Sequence, residues 1–143
     1  MSSDSDTPRS IELTKIGEGR FKATNARGGE TFLGMGGDDP DFTPVELLLA
    51  AIAGCSAIDV DLITLKRAQA EGFRMEASGD KVRDEAGNHL VNLTITFDVT
   101  FPAGKQGDAA REMLPRAIGM SRDRLCTVSR TVQLGTPVDY RQA

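Results

Sequence analysis

The stretch TPVELLLAAIAGCSAIDVDL, residues 43–62, decides how the rest of the chain is read. It opens with the signals of a helix start. Thr43 can cap, Pro44 can take the first helical position, where its missing N–H costs nothing, and Glu46 stands three residues after the cap, as a reciprocal capping box requires. Leu47–Ala53 are apolar on every face, so the first half of the helix is expected to be surrounded by protein. Asp59, Asp61, Lys66, Arg67, Gln69 and Glu71 make the second half progressively wet, and the pattern predicts a helix from Pro44 to about Ala70, stopped by Gly72. In its middle lie Gly54 and Cys55. A glycine there costs about 1 kcal/mol relative to alanine, which suggests that another group approaches closely beside the thiol.

The apolar run from Val45 to Ile58, broken only by Glu46, Gly54 and Ser56, ends at Asp59 and Asp61. It falls short of the roughly 20 apolar residues of a membrane span, so it is read as a core helix and no membrane partner is expected. The 143 residues are 39% hydrophobic and 27% charged, enough for one globular domain without metal or disulfide staples. A net charge of -4 gives no basic footprint, so no nucleic-acid partner is expected. The opening MSSDSDTP is polar and lacks the pattern of a signal peptide, which points to a cytoplasmic protein. Residues 1–9 are therefore expected to be a disordered tail and residues 10–143 a single α+β domain.

Outward from the helix, residues 10–34 alternate imperfectly between Gly17, Gly19 and Gly28-Gly29, as a meander of short antiparallel strands would. Gly34–Phe42 reads as a loop leading into the helix start. Residues 73–84 and 88–101 read as a hairpin joined through DEAGN, with Leu93, Ile95, Phe97, Val99 and Phe101 on one face. Asp108 to about Arg122 carry a second helical pattern with Pro115 inside it, where a kink or break is expected. The LCTVSRTVQLG segment is expected to begin with a short helical turn, and TPVDYRQA to form an edge strand and tail.

The chain has two cysteines, Cys55 and Cys126, and a buried helical cysteine is ordinarily an inert small hydrophobe. In a reducing compartment a permanent bridge is not expected, so pairing would be transient and chemical. Asp59, one turn after Cys55, would raise the pKa of a thiol that it faced, so activation calls for a cation. Arg20, Arg27, Arg122, Arg124 and Arg130 are the candidates. His89 stands alone in a strand turn and no Cys-x-x-Cys or His-Glu-x-x-His spacing exists, so no metal and no cofactor is expected. Two thiols without a metal suit thiol–disulfide exchange or thiol peroxidation.

The pair TPVELLLAAIAGCSAIDV and LCTVSRTV resembles the OsmC/Ohr superfamily of thiol-dependent organic hydroperoxide reductases, in its OsmC-like branch. The resemblance implies an α+β fold, with antiparallel sheets wrapping two central helices in an intertwined homodimer. It implies Cys55 as the peroxidatic thiol, Cys126 as the resolving thiol, and Glu46 as the carboxylate that positions a catalytic arginine. That arginine would come from the N-terminal strands, with Arg27 the first choice and Arg20 the second. An organic hydroperoxide would be the substrate, and a small dithiol or lipoyl-type protein the reductant. Where the family usually carries a proline after the second cysteine this chain has Thr127, and where an aromatic residue often follows the first it has Ser56. A non-catalytic ligand-binding module or a redox-sensing dimer is the alternative reading.

Overall fold

The computed structural model describes residues 7–143, so most of the tail expected at the start lies outside the described residues. Two compact units follow one another along the chain, one ending at Leu48 and the other running from Leu49 to Ala143.

The first unit is the meander that the glycines predict. Strands β1 (Glu12–Gly17), β2 (Arg20–Thr24) and β3 (Glu30–Leu33) form an antiparallel sheet in that order. Leu13 pairs with Ala23 and Phe21 with Leu33, with a register shift between Lys15 and Gly17. The β2–β3 turn is held by Asn25, whose side-chain oxygen accepts the backbone N–H groups of Arg27 and Gly29 at 3.1 and 2.9 Å. The following loop closes where Gly34 donates its N–H to the Phe42 carbonyl at 3.0 Å. The capping box then forms as its sequence requires. Thr43 donates its N–H to Glu46 Oε1 at 2.9 Å, and Glu46 donates its own to Thr43 Oγ1 at 3.2 Å, satisfying two of the helix's orphan donors.

Helix α1 spans Pro44–Leu65, shorter than the expected extent to Ala70. Arg67 and Ala68 both donate to the Thr64 carbonyl, tightening the last turn, and Glu71 donates to Thr100 at 2.8 Å. Gly72 thus opens a strand instead of capping a helix. At 22 residues α1 is long and apolar enough to cross a membrane by length and composition, which corrects the shorter apolar run read from the sequence. Its buried residues are Ile52, Ser56, Val60 and Thr64, a single stripe at a spacing of four. At about 100° per residue, Ile58, Leu62 and Leu65 fall on the opposite side, and all three are exposed. In the first half Leu48, Ala50 and Ala51 are exposed too, so the all-round enclosure expected of Leu47–Ala53 is not made among the described residues.

In the second unit β4 (Gly72–Asp84) and β5 (Gly87–Thr100) form the expected hairpin, its turn held by Asp84, whose carboxylate accepts the N–H groups of Ala86 and Gly87. The pairs Phe73–Val99, Met75–Phe97 and Ala77–Ile95 lie half-buried on one face, with Phe73 and Phe97 edge to face at 6.3 Å. The register slips between Ser78 and Asp80, opposite Asn92, which adopts a positive φ of 56°. Leu93, within the same irregularity, is exposed, unlike its expected companions on the core face.

Helix α2 spans Lys105–Met120 and is not broken at Pro115. Pro115 lies on the exposed side, where water can replace the N–H that proline lacks. The helix begins three residues before Asp108, whose N–H donates to the Gly104 carbonyl at 2.9 Å, and in this first turn Gly107 lies against the Pro102 carbonyl, an approach that leaves no room for a Cβ. After Met120 the chain widens into a π-helical turn, Ser121–Leu125, and α3 follows as a full helix from Thr127 to Leu134. Gly135, in the left-handed region at φ 63°, ends it. Residues 136–143 form no strand, so the edge strand expected there is absent. Pro137 lacks the N–H that a ladder at that position would use. The core of this unit is built from Ile52, Val60, Phe101, Ala110, Ala117 and Cys126.

Candidate functional site

Cys55 and Asp59 stand one turn apart on α1, on the flank between its buried stripe and its exposed apolar side. Cys126 occupies the N-cap position of α3 and is fully buried. The fold brings the Sγ atoms of Cys55 and Cys126 and a carboxylate oxygen of Asp59 within 4.8 Å of one another. Both sulfurs are free thiols.

The start of α3 surrounds this cluster with donors. Ser129 donates its backbone N–H to Cys126 Sγ at 3.3 Å, while the N–H groups of Thr127 and Val128 act on Cys55. Burial pushes the Cys55 thiol above its ordinary pKa. The Val128 N–H pulls it back, the neighbouring Cys126 pushes it up again, and the Thr127 N–H pulls it down. No guanidinium of the Leu49–Ala143 unit figures among these influences. Arg122 instead grips its neighbour Asp123 through two hydrogen bonds, which lowers the carboxyl's pKa.

Asp59 is held by a second side chain. Ser121, buried at the start of the π-helical turn, donates its hydroxyl to Asp59 Oδ2 at 2.9 Å. The wide turn serves this geometry, because it lets the chain leave α2 and place Cys126 at the head of α3. Cys126 N–H donates back to the Ser121 carbonyl at 2.9 Å. Sequence reasoning noticed Asp59 only as a possible disturbance to Cys55 and passed over Ser121. The spacing from Cys55 to Asp59 carried the first signal, whereas nothing local marks Ser121.

Beside the cluster lies a cavity of about 360 Å³, lined chiefly by Ile52, Ile95, Phe97, Ile118 and Val132, with Arg122 among its polar groups. It shares Ile52, Ser56 and Ser129 with the surroundings of the thiols. Its size and apolar lining are those of a small-molecule pocket. At Gly54 an added Cβ would meet nothing within 4 Å, so the close approach inferred from that glycine is not made among the described residues.

The other expected site residues lie in the first unit. Glu46 is engaged in the capping box and forms no ion pair among the described residues. Arg20 is bound to Asp41 at 2.5 Å and lies 3.5 Å from Asp39, which raises its pKa further. Arg27 is exposed on the Asn25 turn, and among the described residues its guanidinium makes no ion pair. As for metal ligands, Cys55, Asp59 and Cys126 are the one group the fold assembles among the described residues, despite the absence of a ligand motif.

Residues 36–141 match the family of OsmC-like proteins. The chain is 28% identical over 129 residues to an uncharacterized protein of Mycobacterium tuberculosis, covering 89% of this chain and 90% of that one. In three dimensions it is similar to an OsmC-like protein of unknown function from Vibrio cholerae, with 15% identity, a TM-score of 0.73, and 89% and 94% of the two chains covered. It is also similar to an organic hydroperoxide resistance protein, OsmC, from Legionella pneumophila, with 15% identity, a TM-score of 0.56, and 87% and 89% covered. Both structural likenesses speak to the α+β fold.

Proposed function

The chain belongs to the OsmC-like protein family, and from that premise we propose that it reduces organic hydroperoxides through Cys55, with Cys126 as the resolving thiol. The observation that carries this reading is the convergence of the two sulfurs, 4.8 Å apart or less, at the head of α3. The Cys55 thiolate attacks the distal peroxide oxygen, the O–O bond breaks, and the departing alkoxide takes a proton to leave as the alcohol. The sulfenic acid then condenses with the Cys126 thiol, forming the disulfide and releasing water. A small dithiol or lipoyl-type protein returns two electrons and two protons to restore both thiols. The apolar cavity beside Ser56 receives the organic part of the peroxide.

Burial opposes the thiolate, so the mechanism needs a cation, and Arg27 is the first candidate because it carries no ion pair among the described residues. Arg20, already engaged by two aspartates, is the second. Glu46, in addition to capping α1, would orient the arginine. A homodimer is part of the same reading. The exposed stripe of Ile58, Leu62 and Leu65, at 64%, 60% and 47%, is covered by a second copy of the chain in the cytoplasm.

The test is oxidation of the reduced protein with one equivalent of cumene hydroperoxide, followed by mass mapping. An intramolecular Cys55–Cys126 disulfide is expected, and its absence would reject the mechanism. The upward push of burial on Cys55 favours a second reading, a non-catalytic ligand-binding or redox-sensing dimer. A ligand-binding module would alkylate at Cys55 only at alkaline pH and form no bridge, and a sensor would form the bridge without multiple turnover.

A further inference from the structure

We propose that Cys55, Asp59 and Cys126 form a binding site for Zn2+, occupied in the reduced protein and dismantled when the two cysteines oxidise. Three donors from two distant parts of the chain lie within 4.8 Å of one another, and thiolate with carboxylate is a donor set that zinc accepts. With Zn–S bonds of about 2.3 Å, tetrahedral geometry sets the sulfurs about 3.8 Å apart, so side-chain rotation of about 1 Å completes the site.

The surroundings are those of a metal centre in two further respects. Ser121 donates to Asp59 Oδ2 and holds in place the carboxylate that would bind the cation. The N–H of Ser129 faces Cys126, and those of Thr127 and Val128 face Cys55, so the negative charge of two thiolates is met by the head of α3. Cys126 is fully buried while Cys55 and Asp59 are partly exposed, which gives the ion one route in and leaves the fourth position to water.

Binding replaces two S–H bonds by two Zn–S bonds and releases two protons to solvent, with no change of oxidation state. Formation of the Cys55–Cys126 disulfide removes both sulfur donors and expels the ion. The bound metal also occupies the lone pairs that would attack a peroxide, so Zn2+ holds the site inactive. This last consequence rests on the peroxidase reading, whereas the binding itself does not.

The test uses the full chain, reduced and freed of metal by a chelator, with Co2+ as the spectroscopic probe. One equivalent per chain is expected to produce near-ultraviolet thiolate-to-cobalt absorption, abolished by equimolar Zn2+ and by either Cys55→Ser or Cys126→Ser. Asp59→Asn is expected to weaken Zn2+ binding, measured by competition with a chromophoric chelator, by about tenfold or more. No such absorption, or an affinity unchanged in Asp59→Asn, overturns the proposal. If Asp59→Asn fails to fold, alkylation mapped on the wild-type protein decides. One equivalent of Zn2+ must slow both Cys55 and Cys126, and slowing of one or neither rejects the site. Peroxide consumption by the metal-free protein is measured separately. Protein that consumes peroxide yet binds no cobalt sinks the metal site alone, and protein that binds cobalt yet consumes no peroxide sinks only the peroxidase.

Discussion

The sulfur of Cys126 caps helix α3, accepting the Ser129 N–H at 3.3 Å, so the resolving thiol proposed here is also part of a helix end. A disulfide needs a sulfur–sulfur distance of about 2.05 Å, shorter than any contact between two free thiols, so one or both sulfurs must move to form it. Movement of the Cys126 sulfur in that step would release the Ser129 N–H and loosen the start of α3. Amide hydrogen exchange at Ser129 and Arg130 is expected to quicken in the oxidised protein and to return to its former rate on reduction. Unchanged exchange would mean that the bridge forms without disturbing the helix start.

The roles of the two thiols separate by substitution. Cys55→Ser is expected to abolish peroxide consumption. Cys126→Ser is expected to retain the first turnover and accumulate a sulfenic acid at Cys55, detectable by dimedone labelling. Equal losses in both variants would contradict the order of events.

The ionisation of Cys55 reports on the arginine. Burial raises the folded thiol's pKa, so without a cation the thiolate appears only as pH rises beyond the ordinary thiol value of about 8.5. With the proposed arginine, the pH profile of iodoacetamide labelling in the wild type is expected to turn below that value, and Arg27→Ala is expected to move it above. In that variant the raised pKa favours the neutral thiol in the fold. Its contribution to stability is full at low pH and is lost as pH climbs through the folded pKa. A profile that Arg27→Ala leaves in place, but Arg20→Ala shifts, would reassign the cation.

The cap of α1 can be tested apart from chemistry. Thr43→Ala removes the acceptor for the Glu46 N–H and is expected to lower stability by about 1 kcal/mol in urea unfolding. Glu46→Gln keeps the reciprocal hydrogen bond and is expected to cost less, so a large loss of peroxide turnover in Glu46→Gln would reflect arginine positioning.

The exposed side of α1 is the proposed dimer face. Ile58→Asp places a charge amid Leu62 and Leu65 and is expected to convert the dimer to monomer in sedimentation equilibrium. A wild-type protein that sediments as a monomer at micromolar concentration would reject this assignment.

Much of the architecture was legible because its determinants are local. Thr43, Pro44 and Glu46 specify a helix start within four residues, alternation at Ile95, Phe97 and Val99 specifies a strand face, and Asn25 and Gly28 specify a turn. The misreadings fall where distant groups decide. α1 stops early because Glu71 is drawn to Thr100, and the segment after Cys126 becomes a helix whose cap is the thiol itself.

The sequence by itself determined the elements and the two sulfur-bearing motifs, since capping, alternation and turn chemistry act between residues a few positions apart. Only the tertiary structure decided that Cys55, Asp59 and Cys126 share one small volume, and that Ser121 reaches Asp59 from 62 positions away. Such a meeting depends on how α1 packs and on where the wide turn after α2 releases the chain. No short-range pattern in the residues encodes either.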